Sequence, residues 1–335
     1  MKISVLIPCY NSGKTIEATL TSVFAQTVPP DEILVLNDGS TDDTQARLDK
    51  YKDRVMVFSQ KNSGVARASN RLVNAASGDM LAFLDHDDIW HPKYLETQRS
   101  ILQKYPEVVA GFTGHFDFPN NGVPDWSATS MDNKMEPVIF DSVSFLYAYN
   151  KATGLFGSSS FCCIRKSALD KFSGEPFHPE LSRVQDSYLF QRLARLGSVA
   201  HLALKLAAFR LTEGSLSSNR LASLEIEVYG FELLLTEYRR EATPELQRAI
   251  SWGFAAKRRQ YARTLLGAGN VREARRQLRL SLWNCHNPKS AAKSLLLLLL
   301  SVAPKRLQPR WPSSERAVNP ACNQTGTTKQ LLSGK

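Results

Sequence analysis

The sequence predicts an α/β fold: a mostly parallel sheet covered by helices on both faces, followed by a C-terminal α-helical appendage. Three observations predict it. Short apolar, β-branched runs alternate with helical spacing four times between Ile3 and the start of a helix near Pro92, which is the pattern of strand-then-helix units in a parallel sheet. Turn formers and carboxylates follow the strands, where ligands of such sheets gather. From Ala222 onward the periodicity is helical only.

The first strand is read over Ile3–Ile7, ended by Pro8 and the turn formers Asn11, Ser12 and Gly13. Apolar residues at Ile16, Leu20, Val23 and Phe24 put a helix over Lys14–Ala25. Glu32–Leu36 is the second strand, followed by the turn NDGSTDD and a helix over Thr41–Tyr51. Val55–Phe58 is the third strand, Val65–Ala76 the third helix and Met80–Leu84 the fourth strand. Gly13-Lys14-Thr15 looks like the end of a phosphate-binding P-loop, but the glycine required five positions earlier is Pro8. No G-x-G-x-x-G follows any strand either, so a dinucleotide fold of the usual kind is not expected.

The densest chemistry is MLAFLDHDDIWHP, Met80–Pro92, in which Asp85, Asp87 and Asp88 follow a buried-looking strand. On an extended segment residues two apart point the same way, so Asp85 and Asp87 can grip one divalent ion. A hard ion such as Mg2+ or Mn2+ takes oxygen ligands and commonly uses one or two protein carboxylates plus substrate phosphates. The other reading is a solvated acidic turn capping the next helix.

Beyond residue 106 a strand is expected from Glu107 to Phe118, then a loop over Pro119–Glu136, suited to acceptor contacts or a lid. Trp126 in that loop reads either as a sugar platform or as cover for the loop's own base. Ser158–Ile164 is a strand whose adjacent Cys162 and Cys163 face opposite ways and read as packing residues. Val184-Gln185-Asp186-Ser187 leads into a helix over Tyr188–Arg195.

Four segments, SVLIPCYN, LVLNDGSTDDT, QKNSGVARASNR and GDMLAFLDHDD with W-x-P, occur in order and together resemble the nucleotide-binding half of a family 2 glycosyltransferase of the GT-A fold. The match covers about residues 1–105 and continues more weakly to about 220. The resemblance implies a GT-A domain over 1–220, with a nucleotide-binding half (1–105) and an acceptor half (106–220); periodicity, charge and polar composition then predict a basic α-helical region (221–308) and a disordered tail (309–335). It implies that Pro8, Tyr10, Asn11 and Asp38 hold base and ribose, that Arg67 approaches the donor's phosphates, and that Asp85 and Asp87 are the DXD pair for diphosphate and metal, backed by Asp88. Asp38 favours a uridine or thymidine nucleotide, although guanine also has donors that a carboxylate can bind. The family usually has Glu-Asp where this chain has Gln185-Asp186; Asp186 is thereby assigned as general base, while any role of its acidic neighbour is in doubt. As a plain helix cap Asp186 would have no chemical part. Arg210 with Thr212-Glu213-Gly214-Ser215 resembles the family's closing segment, but the histidine common there is missing.

The implied activity is inverting, metal-dependent transfer of a sugar from a nucleotide-diphosphate sugar to a hydroxyl of a saccharide or lipid-linked acceptor, in cell-surface polysaccharide or glycolipid synthesis. The alternative is a non-catalytic nucleotide-sugar-binding or scaffold protein on the same fold.

Composition sets the remaining bounds. The 335 residues, 43% hydrophobic, allow one catalytic domain plus an appendage. Five cysteines without ligand spacing fit a reducing compartment and argue against structural zinc. The apolar run before Pro8 is too short for a signal peptide, so a cytoplasmic location is expected. The net charge of +10 is concentrated: residues 236–310 hold 16 Lys/Arg and 4 Asp/Glu. Helices are expected from Ala222, with a stripe of Leu224, Val228, Phe231, Leu234 and Leu235, then over Glu245–Leu266 and Val271–Trp283. One helical-hairpin motif is visible there, too little for a solenoid. Six leucines, Leu295–Leu300, lie in an uncharged stretch too short to span a bilayer. With Lys289, Lys293, Lys305 and Arg306 around it, the stretch reads either as an anchor on an anionic membrane surface or as a buried helix. A nucleic-acid partner is not expected, because the basic region lacks aromatic interleaving and any recognised motif.

Overall fold

The computed structural model describes residues 1–127, 129, 135–151, 156–212, 219–283, 288–303 and 309–312. Two compact units divide the chain: Met1–Ser142 with Gly154–Glu213, and Val143–Thr153 with Gly214–Lys335.

The first unit is a nine-stranded sheet with helices. Its first half alternates β1 (Ile3–Cys9), α1 (Ile16–Phe24), β2 (Glu32–Asn37), α2 (Thr44–Leu48), β3 (Met56–Ser59), α3 (Val65–Ala75), β4 (Met80–Phe83), β5 (Ile89–Trp90) and α4 (Tyr94–Lys104). β1 is buried throughout and lies between β2 and β4, parallel to both. Its pairing with β4 ends at Leu6↔Phe83, so Pro8, which has no N–H, sits past the last rung on that side and leaves no bond unmade. Gly39, after β2, has φ 75°, and a Cβ there would lie 2.7 Å from the amide nitrogen of Asn62. The NDGS turn therefore needs a glycine.

The second half adds β6 (Val108–Pro119), β7 (Val138–Phe140), β8 (Cys162–Arg165), α6 (Lys166–Leu169), α7 (Gln185–Leu193) and β9 (Ser198–Leu211). Strand order is β3-β2-β1-β4-β8-β6-β9-β5, with β7 also on β9. Pairing is parallel from β3 through β4 and between β6 and β9, and antiparallel at β4–β8, β8–β6, β9–β5 and β9–β7. The sheet is thus parallel where nucleotide binding is expected and mixed beyond. The strand expected from Ser158 begins at Cys162, preceded by a 3-10 turn at Ser159–Phe161.

The second unit is helical: α5 (Ser142–Lys151), α8 (Arg220–Glu241), α9 (Pro244–Gly267), α10 (Val271–Trp283) and α11 (Pro288–Val302). Asn219 and Thr243 cap α8 and α9 through side chains that accept from Ala222 N and Leu246 N. Leu224, Val228, Phe231 and Leu234 are buried as their spacing requires, and Phe231 stacks on Phe254 of α9. α5, taken from the middle of the chain, joins this unit through Tyr147 on Trp252 and Asn150 beside Gly253. Among the described residues no helix is long and apolar enough to cross a membrane. Residues 309–312 return to α9, with Trp311 and Pro312 against Gly267. The rest of the expected tail, 313–335, lies outside the described residues.

Candidate active site

All eight candidate site residues belong to the first unit, and those of the nucleotide half gather at the carboxyl ends of β1–β4. Tyr10, 43% exposed, and Asn11 follow β1. Asn11 has φ 48°, in the left-handed region that asparagine tolerates. Its Oδ1 accepts from Thr41 N (2.8 Å), while its own N–H donates to Ser40 Oγ (3.0 Å). Asn11 therefore ties the loop after β1 to the loop after β2.

Asp38, after β2, is buried, and donors surround its carboxylate. Oδ1 accepts from Gln60 Nε2 (2.8 Å) and Ser63 N (3.0 Å), and Oδ2 from Gly64 N (2.8 Å). It thus fastens the loop after β3 to β2. Arg67, in the first turn of α3, is exposed, and its guanidinium has no hydrogen-bond or ion-pair partner among the described residues. Its cation is available to a ligand at this rim.

The carboxylates after β4 are held differently. Residues 85–88 form a turn, with Asp88 N donating to Asp85 O (3.1 Å). The extended geometry expected for Asp85 and Asp87 is therefore absent. A turn, not strand alternation, brings the carboxylates together, because β4 ends at Phe83 and the chain must reverse to enter β5. Asp85 Oδ2 accepts from Ser158 Oγ (3.1 Å), and its N–H donates to Ser160 Oγ (2.9 Å). Asp87 Oδ2 accepts from Thr212 Oγ1 (3.0 Å). Asp88 is fully buried: Oδ1 accepts from Arg210 N (3.0 Å), and Oδ2 has no hydrogen-bond partner.

Arg210 looks like the natural counter-charge but serves carbonyls instead. Its Nε donates to Asp87 O (2.8 Å) and its Nη1 to Asn120 O (2.6 Å), while the guanidinium lies over Phe118. No cation pairs with Asp85, Asp87 or Asp88 among the described residues. Burial, then the charge of Asp87, pushes the Asp85 carboxyl up. Burial, then Asp87 and Asp85, pushes Asp88 well above the carboxylate range. Among the described residues no group of three or more His, Cys, Asp or Glu closes a metal cage. Two half-buried carboxylates, backed by a third with an orphaned oxygen, fit a hard divalent ion that completes its shell with ligand oxygens and water.

Asp186 is half-buried in the first turn of α7, one residue inside the helix that was expected to start at Tyr188, and its Oδ1 accepts from Ser187 N (2.7 Å). Two residues earlier Val184 has φ 53°, a strained value for a β-branched side chain. The charges of Asp186 and Asp85 both reach Cys162, whose thiol is pushed up chiefly by burial and then by Cys163, Asp186 and Asp85. Cys162 and Cys163 are free and buried, as packing residues should be. Trp126 packs edge-on to His91, just after β5, and to Phe116 of β6, the strand at the loop's base. Glu213, Gly214 and Ser215 lie outside the described residues.

Ser158 and Ser160, which position the acidic turn together with Thr212, had no signal in isolation. The segment carrying Arg210 and Thr212 was legible as a motif, but the strand that aims it, β9, was not.

A family model described as "Glycosyl transferase family 2" matches residues 4–172. The chain is 29% identical over 227 residues to the UDP-Glc:alpha-D-GlcNAc-diphosphoundecaprenol beta-1,3-glucosyltransferase WfgD of Escherichia coli, covering 67% of this chain and 82% of that protein. Among solved structures, residues 1–349 of S. aureus TarS in complex with UDP superpose with a TM-score of 0.62 at 18% identity, covering 92% of this chain and 82% of that one. The mannosyltransferase PcManGT from Pyrobaculum calidifontis, in complex with GDP-Man and Mn2+, gives a TM-score of 0.55 at 18% identity, covering 91% and 81%.

Proposed function

This chain belongs to glycosyl transferase family 2, and from that premise we propose that it transfers a sugar, with inversion, from a nucleotide-diphosphate sugar to a hydroxyl acceptor. The observation that carries the reading is the half-buried acidic turn Asp85–Asp88, with which no cation pairs among the described residues and whose buried Asp88 keeps one oxygen without a partner. Asp85 and Asp87 would hold Mg2+ or Mn2+, with Asp88 behind them. Bound there, the ion would neutralise charge on the departing diphosphate.

The chain's own residues do the rest. Tyr10 offers a flat exposed face for the base. Pro8 and Asn11 shape the loop beneath it, and Asp38 keeps acceptor capacity on Oδ2, which accepts one hydrogen bond, from Gly64 N. Arg67 supplies a fixed positive charge for the phosphates. Asp186 receives the proton of the acceptor hydroxyl as that oxygen attacks the anomeric carbon. The carbon–oxygen bond to the diphosphate breaks on the opposite side, so configuration inverts. WfgD is named for an acceptor on diphosphoundecaprenol. That supports a lipid-linked saccharide as acceptor here, in cell-surface polysaccharide or glycolipid synthesis, with the protein peripheral on the cytoplasmic membrane face.

Calorimetry with UDP, GDP and dTDP tests the site. Mn2+ should strengthen binding of one nucleotide, and Asp87→Ala should abolish that gain while leaving the weaker affinity in chelator unchanged. If metal-dependent affinity survives in the variant, Asp85–Asp88 is only an acidic turn.

A further inference from the structure

The six leucines of α11 meet neither sequence expectation fully, because the helix is built inside out. Its buried residues are Ser290, Ser294 and Ser301, and none of the six leucines is buried. Arg259 of α9, itself buried, donates through Nη1 to Ser290 Oγ (2.9 Å) and Ser294 Oγ (3.2 Å). Ser281 of α10 donates to Ser294 Oγ (2.8 Å), and Arg275 donates through Nη2 to Ser301 O (2.9 Å). The polar face is thus pinned inward by hydrogen bonds that would be costly to break in a buried setting. Leu295, Leu296, Leu299 and Val302 are left facing outward, 49%, 56%, 58% and 61% exposed. A helix in water normally presents the reverse arrangement.

The neighbouring helix supplies the charge. On α10 the buried residues Ala274, Gln277, Leu278 and Ser281 form one face, while Arg272, Arg276, Arg279 and Trp283 are exposed at spacings that place them on the opposite face. Trp283 is 89% exposed. Lys289 and Lys293 are exposed on α11. Both outward faces lie opposite faces that bond to α9, through Gln277 on one helix and Ser290 and Ser294 on the other. Between residues 246 and 312 the sole acidic residue is Glu273.

We infer that α10 and α11 form a docking surface for a bilayer bearing anionic headgroups. The leucine face enters the headgroup–acyl boundary, Trp283 lies at that boundary, and Arg272, Arg279 and Lys293 meet the lipid phosphates, while Arg276 pairs with Glu273 at 3.0 Å. Charge complementarity selects this occupant: a second copy of the same face would bring its cations together. The inference deepens the peripheral location proposed above and rests on that reading for its usefulness, since a lipid-linked acceptor is reached from such a surface.

Co-sedimentation of the full chain with vesicles tests it, using phosphatidylglycerol mixed with phosphatidylcholine in one arm and phosphatidylcholine alone in the other. The protein should pellet with the anionic vesicles. Arg272→Glu with Arg279→Glu should weaken that partitioning by roughly tenfold or more. Leu296→Asn with Leu299→Asn should remove the part that survives high salt. All four side chains are exposed, so circular dichroism and melting should match the parent. No pelleting at low salt, pelleting unchanged in both variants, or a dimer in sedimentation velocity that the asparagine variant dissolves would each overturn the inference. Mn2+-dependent binding of UDP, GDP or dTDP, measured by calorimetry without lipid, separates the two readings. It should be equal in parent and variants; if none of the three binds to any of them while pelleting persists, the donor-site reading fails and the surface stands.

Discussion

Asp38 and Asp88 are both buried carboxylates, placed after the two strands that flank β1, and they are treated oppositely. Asp38 receives two backbone N–H groups and a side-chain amide. Asp88 receives one backbone N–H, has one oxygen with no partner, and faces two further carboxylates. A buried charge served by donors is part of the architecture, whereas a cluster left short of them is arranged for something that comes and goes. Arg210 sharpens the contrast: a guanidinium is at hand, yet it is spent on the carbonyls of Asp87 and Asn120.

The largest expected effect concerns the remaining carboxylate, Asp186, which belongs to neither type if it handles a proton. Asp186→Asn should lower turnover by roughly 10²–10⁴ while donor affinity by calorimetry stays the same. Equal nucleotide release from the variant would make it a helix-turn residue like any other. Next, Asp38→Ala leaves Ser63 N and Gly64 N without their acceptor and should cost about 2–3 kcal/mol of stability. Asp88→Asn relieves like-charge crowding and should stabilise the metal-free protein by about 1 kcal/mol, at the expense of the rise in Tm that Mn2+ gives. Melting curves with and without Mn2+ read both; a fall in Tm for Asp88→Asn alongside none for Asp38→Ala would reverse the comparison.

The smallest effect is acid lability at a second served carboxylate, Glu32. Burial pulls its carboxyl up, but hydrogen bonds from Ser4, Ser77 and Gly78 outweigh that and hold it below its ordinary 4.5. A depressed value means that its contribution is complete above pH 4.5 and is lost as pH falls through the folded-state value. Glu32→Gln should therefore flatten the acid limb of Tm against pH below 4.5 and leave the neutral range unaltered in slope.

The same contrast explains what could be read from residues alone. β1, β2 and β4 are nearly continuous buried runs, each followed by turn formers or carboxylates, so strand and rim were both legible. β9 was not. Nine of its 14 residues are buried, a period of two shows only over Leu202–Leu206, and Ala200, Ala203, Ala207 and Ala208 favour no strand. Its identity as a strand comes from lying along β6. The acidic cluster was legible as composition, but its geometry depends on a turn and on Ser158, Ser160 and Thr212, which arrive from distant segments. In α11 the leucines were plain, while the fact that serines would be the buried face depends on Arg259 and Arg275 of other helices.

Val184 carries a further consequence. A valine at φ 53° stores on the order of 1–3 kcal/mol, and it does so just ahead of Gln185 and Asp186. A glycine there would release the strain and also widen the range of directions from which the Asp186 carboxylate approaches its partner. Val184→Gly should melt later than the parent yet turn over more slowly, a pairing that calorimetry and a release assay would reveal together. If so, the discomfort of one residue is a form of aim: conformational freedom has been surrendered locally so that a proton acceptor keeps a single bearing.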